Sequence, residues 1–399
     1  MARVSCSWGS SFELITSRYK SIKHFQYTAI NRPPTMHRIG DDMNSTTTSN
    51  RSRSDMPVVA VTLGDAAGIG AELVVKLLAK PETTQLANVV LIGDYWLWEE
   101  GNRIAGTPLP ETELISSLDN VRARSDTSRA AFLAMDTLEQ ETVVRSKAQP
   151  ACGQSVLRIL DRCMDAALAG SIDAICFAPL NKQAMKLGGM QHEDELHDFA
   201  AYLGVSGYFC EFNTLGDLWT SRISSHVPLK DVAGYLGVER IEQAAELIYR
   251  SLLRSGVPAP KIAIAAFNPH GGDGGLCGRE EVEIIEPAVK ALQARQWPTA
   301  SPFHGPFPAD TIFLKAVAGE YQAVVTMYHD QGQIAIKLLG FSRGVTVQGG
   351  LPIPITTPAH GTAFDIAGKG TANVEATWQA FQLACRMGGS ARADALLAA

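Results

Sequence analysis

The sequence predicts an α/β fold with a largely parallel sheet, on three observations. Five runs of Val, Ile and Ala are nearly continuous, as in strands buried on both faces; stretches of helical periodicity alternate with them; and Gly- or His-bearing turns follow several runs directly. The first strand, PVVAVTL (57–63), opens into GDAAGIGAE (64–72) and a helix over 71–78. NVVLIG (88–93) is the second strand. A helix over 155–168 leads to the third, DAICFAP (173–179). A helix over 241–253 precedes the fourth, KIAIAAF (261–267). A helix over 280–294 comes before the fifth, QAVVTMY (322–328), and a helix over 373–387 ends the pattern. The segment from about 152 to 255 lies between the outer strands. With adjoining segments it is expected to form one of two interleaved α/β lobes, which together span 57–399 and leave a cleft between them.

Composition narrows the function. The chain has 399 residues, 46% hydrophobic and 19% charged, the profile of a globular protein. No uncharged apolar run is long enough to span a membrane. A net charge of −6 lacks the basic face that a nucleic-acid partner demands, so no nucleic acid is expected. The seven cysteines are scattered and contain no C-x-x-C pair, which signals neither a disulfide framework nor a thiolate zinc site. A reducing, cytoplasmic compartment fits them.

Residues 1–56 stand apart: Ser, Thr, Asn and Arg dominate, with eight Lys or Arg against four Asp or Glu. Such a segment buries too little apolar surface to offset its ordering entropy, so a disordered tail is expected. A transit peptide, or a later start at Met36, Met43 or Met56, are the other readings.

The histidines carry the chemistry. His226 in RISSH, His270 in AAFNPH and His329 in VTMYHD each follow a β-like run. A parallel sheet delivers its strand ends to one edge, where α/β proteins bind ligands. Three imidazoles converging there would form an open site for zinc, cobalt, manganese or magnesium. Asp310 and Asp330 either orient imidazoles and metal-bound water or cap helices. Lys337 either shares the pocket or is solvated. Lys182 sits where the 173–179 strand ends. Of His192 and His197, flanking EDE, one is expected to face the site and the other the surface. GDAAGIGAE lacks the G-x-G-x-x-G spacing, so it is either an anion-binding strand–helix junction or a tight turn.

With these residues assembled, the chain from 57 onward resembles the 4-hydroxythreonine-4-phosphate dehydrogenase family. GDAAGIGAE, NPHGGDGG (268–275), PADT (308–311), YHDQG (328–332) and HGTAFDIAGKG (360–370) carry the likeness. The resemblance implies two α/β lobes around a central cleft, as in isocitrate and isopropylmalate dehydrogenases, with the site completed by a homodimer partner. It implies a divalent metal on His226, His270 and His329, a substrate lysine at Lys337, and metal-proximal carboxylates at Asp310 and Asp330. NAD or NADP would lie near Gly361, Thr362, Asp365 and Gly368. The implied reaction is hydride removal from a metal-bound hydroxyl of a small hydroxy acid, with decarboxylation when a β-keto acid results, Lys337 or Lys182 relaying protons or holding a carboxylate. Three departures bear on the substrate. HEDELHD (192–198) stands where the family has GHTE, Thr346 where a substrate-binding asparagine is expected, and Ile355 where a phosphate-binding arginine is expected. The loss of that arginine points to an unphosphorylated hydroxy acid, with the phosphorylated substrate as the alternative; a metal-dependent hydrolase or a non-catalytic binding protein on the same fold is the reading of another class.

Overall fold

The computed structural model describes residues 56–398; the tail expected to be disordered lies, up to residue 55, outside the described residues. All five apolar runs form strands: β1 (Val58–Thr62), β2 (Asn88–Gly93), β5 (Ala174–Phe177), β8 (Ile262–Ala265) and β10 (Ala323–Thr326). Each is buried along its whole length because both faces are covered. In β1, Val59 and Val61 enter one apolar cluster while Val58 and Ala60 enter another on the opposite face.

Seven further strands join them: β3 (Thr112–Ile115), β4 (Ala130–Ala134), β6 (Cys210–Leu215), β7 (Leu218–Arg222), β9 (Phe303–Phe307), β11 (Val345–Gly349) and β12 (Ile355–Pro358). One sheet results, in the order β3-β4-β2-β1-β5-β12-β11-β6-β7-β10-β8-β9. The sheet is mostly parallel. Among the described residues the antiparallel pairings are β12–β11, β11–β6 and β6–β7, all in the middle. The parallel halves on either side therefore run in opposite senses. The 152–255 segment is divided between them: β5 lies beside β1, whereas β6 and β7 lie across the antiparallel centre.

Helices α1 (Gly70–Leu78) and α7 (Val238–Arg254) fall where periodicity places them, while α4 (Pro150–Leu168) starts a turn earlier than expected and α11 (Glu375–Ala398) runs on beyond residue 387. The helix expected over 280–294 begins instead as a π-helical turn, Glu281–Ile285, and becomes α8 only at Glu286–Ala294. Pro287, with no N–H and a ring that crowds the preceding turn, interrupts the regular ladder there. The remaining helices are α2 (Thr83–Leu86), α3 (Tyr95–Ala105), α5 (Lys182–Leu187), α6 (Glu195–Tyr202), α9 (Ala309–Val317) and α10 (His329–Gly340). No helix among the described residues is long and apolar enough to cross a membrane.

Candidate active site

Strands β7, β10 and β8 are parallel neighbours, so their C-terminal ends share one edge. His226 follows β7, His329 opens α10 just after β10, and His270 follows β8. The rings of His226 and His329 lie 6.0 Å apart, tilted by 43°. The Asp330 carboxylate meets His329 Nδ1 at 2.7 Å, which leaves Nε2 as the ring nitrogen for a ligand. Asp330 thus orients an imidazole.

His270 sits in a turn of unusual backbone. Residues 270–274 all have positive φ, including His270 at 55° and Asp273 at 46°, conformations that favour glycine. A buried carboxylate holds this turn: Glu281 Oε1 accepts the N–H groups of Phe267 (2.8 Å) and Asn268 (2.7 Å), and Oε2 accepts from Asn268 Nδ2 (2.9 Å). The π-turn brings Glu281 to that position. The three histidines do not close on one another in a single chain. Among the described residues, the trio whose ligand atoms all lie within 4.8 Å is Glu193, Asp194 and His197.

That trio lines a cavity of about 250 Å³ whose wall also includes His226, Glu211, Arg222, Tyr208, Tyr235 and Arg240. Asp194 caps α6, accepting the His197 N–H at 3.0 Å, and also meets His197 Nδ1 at 2.7 Å. Glu193 meets the other ring nitrogen at 2.8 Å. Of the two candidates in HEDELHD, His197 therefore faces the cavity, while the half-exposed His192 pairs with Asp198 at 2.9 Å.

Lys182 begins α5, with Asn181 capping that helix through the Ala184 N–H. Its ammonium lies 3.4 Å from Glu195. Burial works to lower its pKa, yet Glu195, Glu211 and Asp194 together hold it above the ordinary value. A lysine kept charged in this way holds an anion rather than removing a proton.

Thr346 and Ile355 sit differently from what their sequence positions suggested. Thr346 is buried on β11 opposite Asn213 of β6, and its hydroxyl accepts from Asn213 Nδ2 at 3.1 Å. Asn213 Oδ1 in turn accepts from Arg222 Nη1 (2.8 Å) and from the Gln333 amide. Ile355 is fully buried, packed in the core beside Ile175 and Phe177. As a substrate-binding position it is corrected: a side chain enclosed by apolar neighbours touches no substrate, and its neighbours, not a ligand, select an apolar residue.

Lys337 is exposed on α10, and Asp310 is exposed in the first turn of α9, where Pro308 occupies the cap position, so Asp310 is not the cap. The C-terminal motif follows β12 and folds onto the first glycine loop. Ile69 N–H donates to Thr362 C=O at 3.2 Å, and Ser146 Oγ donates to Phe364 C=O at 2.6 Å. Gly361, Asp365 and Gly368 are exposed along that loop, and Thr362 is buried. Gly64 has φ +72°, and a Cβ there would meet Pro179 O at 2.6 Å, so the β1–α1 junction needs glycine.

Residues 85–384 match the profile of the family described as pyridoxal phosphate biosynthetic protein PdxA. The chain belongs to the PdxA family. A Pseudomonas aeruginosa protein provisionally named 4-hydroxythreonine-4-phosphate dehydrogenase 2 is 52% identical over 337 residues, 84% of this chain and 97% of its own. The crystal structure of 4-hydroxythreonine-4-phosphate dehydrogenase from Klebsiella pneumoniae superposes with a TM-score of 0.71 at 34% identity, covering 84% of this chain and 98% of that one. A terephthalate 1,2-cis-dihydrodiol dehydrogenase from Burkholderia xenovorans matches at TM-score 0.57 and 26% identity, covering 80% and 94%. This PdxA-family member is accordingly an oxidoreductase acting on a CH–OH group.

Several residues of the cavity escaped the sequence, Glu211, Arg222, Tyr208, Tyr235 and Arg240, as did the buried Glu281 behind the His270 turn. Arg222 alone left a trace, as a charge inside the β-like stretch LWTSRI. The others meet through folding, from segments with no shared spacing.

Proposed function

We propose that the protein is an NAD(P)- and divalent-metal-dependent dehydrogenase that oxidises the hydroxyl of a small hydroxy acid, with decarboxylation when the product is a β-keto acid. The observation that carries this reading is the edge formed by β7, β10 and β8, with His226 and His329 already 6.0 Å apart and His270 on the third strand end. The donor set fits a metal: imidazoles, one of them fixed by Asp330, with nearby carboxylates. His226, His270 and His329 would hold it, and bound there it would supply Lewis acidity toward the substrate hydroxyl. For the nucleotide, the glycine loops after β1 and β12 fit. They pack together, α1 starts with no side-chain cap, and the buried Asp65 Oδ2 between them has no partner among the described residues.

The chain's own groups divide the remaining work. Asp330 orients His329, Glu281 shapes the His270 turn, and Lys182 stays cationic to hold a substrate carboxylate. Lys337, projecting from the helix that His329 begins, is proposed as the proton relay, with Asp310 near the metal. The proposed compartment is the cytoplasm, supported by described cysteines that are all free.

The substrate would carry a second anionic group beside the carboxylate. The named substrates of the relatives include a phosphorylated and an unphosphorylated compound, and both types remain in the proposal. The family description and the 52% relative favour 4-hydroxythreonine-4-phosphate and a role in pyridoxal phosphate synthesis. A homodimer with a shared site is also proposed, supported by exposed apolar side chains on α9 and α10.

Single His226→Ala, His270→Ala and His329→Ala variants test the reading. Each is expected to lose bound metal and turnover together. Full metal content with full turnover in these variants would sink it.

A further inference from the structure

The cavity that borders His226 contains two arginines in opposite circumstances. Arg222, almost fully buried, has each of its three nitrogens engaged: Nη1 donates to Asn213 Oδ1 (2.8 Å), Nη2 to Glu211 Oε2 (2.6 Å) and Nε to Ser225 Oγ (3.0 Å). Lys182, close by, already faces Glu195. Every nitrogen of Arg222 already has a protein acceptor, and Lys182, though half-exposed, offers a point charge and not a planar fork. Arg240 differs. Its Nε donates to Ile223 C=O at 2.9 Å, and its guanidinium lies over two rings, 5.9 Å from the centre of Tyr208 and 5.6 Å from that of Tyr235. No carboxylate forms an ion pair with it among the described residues.

We propose that Arg240 is the anion-binding residue of this cavity, gripping the phosphate or carboxylate at the substrate end remote from the oxidised hydroxyl. Three physical arguments support it. One backbone hydrogen bond and two aromatic faces fix the guanidinium plane, so little side-chain entropy is lost when a ligand docks. The Nη edge stays open for a forked, charge-assisted pair with a planar carboxylate or a phosphate. The cavity, at about 250 Å³, is smaller than the sites that take drug-sized ligands, and it suits a small metabolite whose other end reaches His226. Arg240 would also supply a charge in the cleft where β12 offers none, since Ile355 is enclosed in the core.

The inference rests on the dehydrogenase reading, and the experiment separates the two. Arg240→Met keeps the stem over the rings and removes the fork; Arg240→Lys keeps the charge without the fork. Arg240 is exposed, so both variants should fold. KM and kcat are measured with 4-hydroxythreonine-4-phosphate and with unphosphorylated 4-hydroxythreonine. Losing one or two charge-assisted hydrogen bonds predicts a KM increase of roughly tenfold to a hundredfold with kcat little changed, and incomplete rescue by lysine. A rise confined to the phosphorylated compound assigns the grip to phosphate; a rise for both assigns it to carboxylate. In parallel, calorimetry with inorganic phosphate and with succinate reads the site without turnover. Binding by the wild type that R240M loses supports the proposal even if neither amino acid is oxidised, in which case the dehydrogenase reading alone fails. Identical KM values, or identical anion binding including none in either protein, overturn it.

Discussion

A carboxyl group shut away from water with few partners holds its proton to higher pH than an exposed one, and Asp65 does so. It is 1% exposed; Oδ1 accepts the Ala67 N–H at 2.8 Å while Oδ2 is unpartnered, and burial, only partly offset by that hydrogen bond, pushes its pKa up to about 6. The titratable group facing it is Cys152 on α4, whose thiol burial, then the charge of Asp65, push up to about 11, so it stays neutral throughout. An acid whose folded pKa is raised binds more protons folded than unfolded between about pH 4 and pH 6. Its contribution to stability therefore falls as pH rises through that window and is constant above it. Two pKa units correspond to about 3 kcal/mol. Asp65→Asn should lose this component: its stability relative to the wild type, from urea unfolding, should rise between pH 4 and pH 7 by up to that amount. Parallel pH profiles for the two proteins would refute the assignment. At this scale the sequence was legible only in part. The three histidines could be read because each follows a β-like run, apolar before His270 and His329 and mixed before His226. The choice of His197 over His192 depended on the Asp194 cap, and Arg240 depended on Tyr208 from a distant segment as well as Tyr235 just before its own helix.

Elements set where these residues point. Asn181 accepts the Ala184 N–H at 2.8 Å at the start of α5, the helix that presents Lys182 to Glu195. Asn181→Ala should cost about 1 kcal/mol, within the usual range for a lost cap, measurable as a lower urea midpoint at unchanged slope. The β8 exit is held more strongly. Glu281 accepts three N–H groups there, and its amide analogue would place an –NH₂ against Asn268 Nδ2, donor against donor. Glu281→Gln is therefore expected to lower cobalt affinity by roughly tenfold to a hundredfold, the usual effect of losing support behind a metal ligand, while leaving the protein folded. Unchanged affinity by titration would mean that the turn holds His270 without it. The same physics explains which elements the sequence revealed. The five strands covered on both faces announce themselves as apolar runs. β6 and β7 bury Asn213, Thr214, Thr220, Ser221 and Arg222 in their hydrogen-bonded network, so CEFNTL and LWTSR carry no apolar signature. The break before α8 was legible in principle, as Pro287.

At the scale of the whole molecule, the sheet accounts for one face of α9 and α10 and leaves the other without cover. Ile312 and Ala316 of α9 and Ile336 of α10 anchor both helices in one apolar cluster over the second parallel half. Their outward residues are apolar as well: Leu314 is 73% exposed, Val317 52%, Ile334 59% and Leu338 83%. Exposed leucines on two helices covering the same face are characteristic of a surface that a partner buries. α10 begins at His329, and Leu276, 85% exposed, closes the His270 turn, so a second copy seated here would lie beside the metal edge. This bears on why His226 and His329 approach within one chain while the full trio does not close. The N-terminal tail enters no motif, and deleting residues 1–50 should leave melting temperature and turnover unchanged. The interface should behave otherwise. Leu314→Asp with Leu338→Asp places two carboxylates where the partner packs, and sedimentation is expected to show a monomer with turnover lost. Complementation then tests whether the site is shared. If His226 and His329 come from one protomer and His270 from the other, mixing inactive His226→Ala and His270→Ala subunits yields mixed dimers with one intact site of two. Random exchange makes half the dimers mixed, so about a quarter of wild-type turnover should return. A fully active monomer, or no recovery after demonstrated subunit exchange, would place all three histidines in one chain.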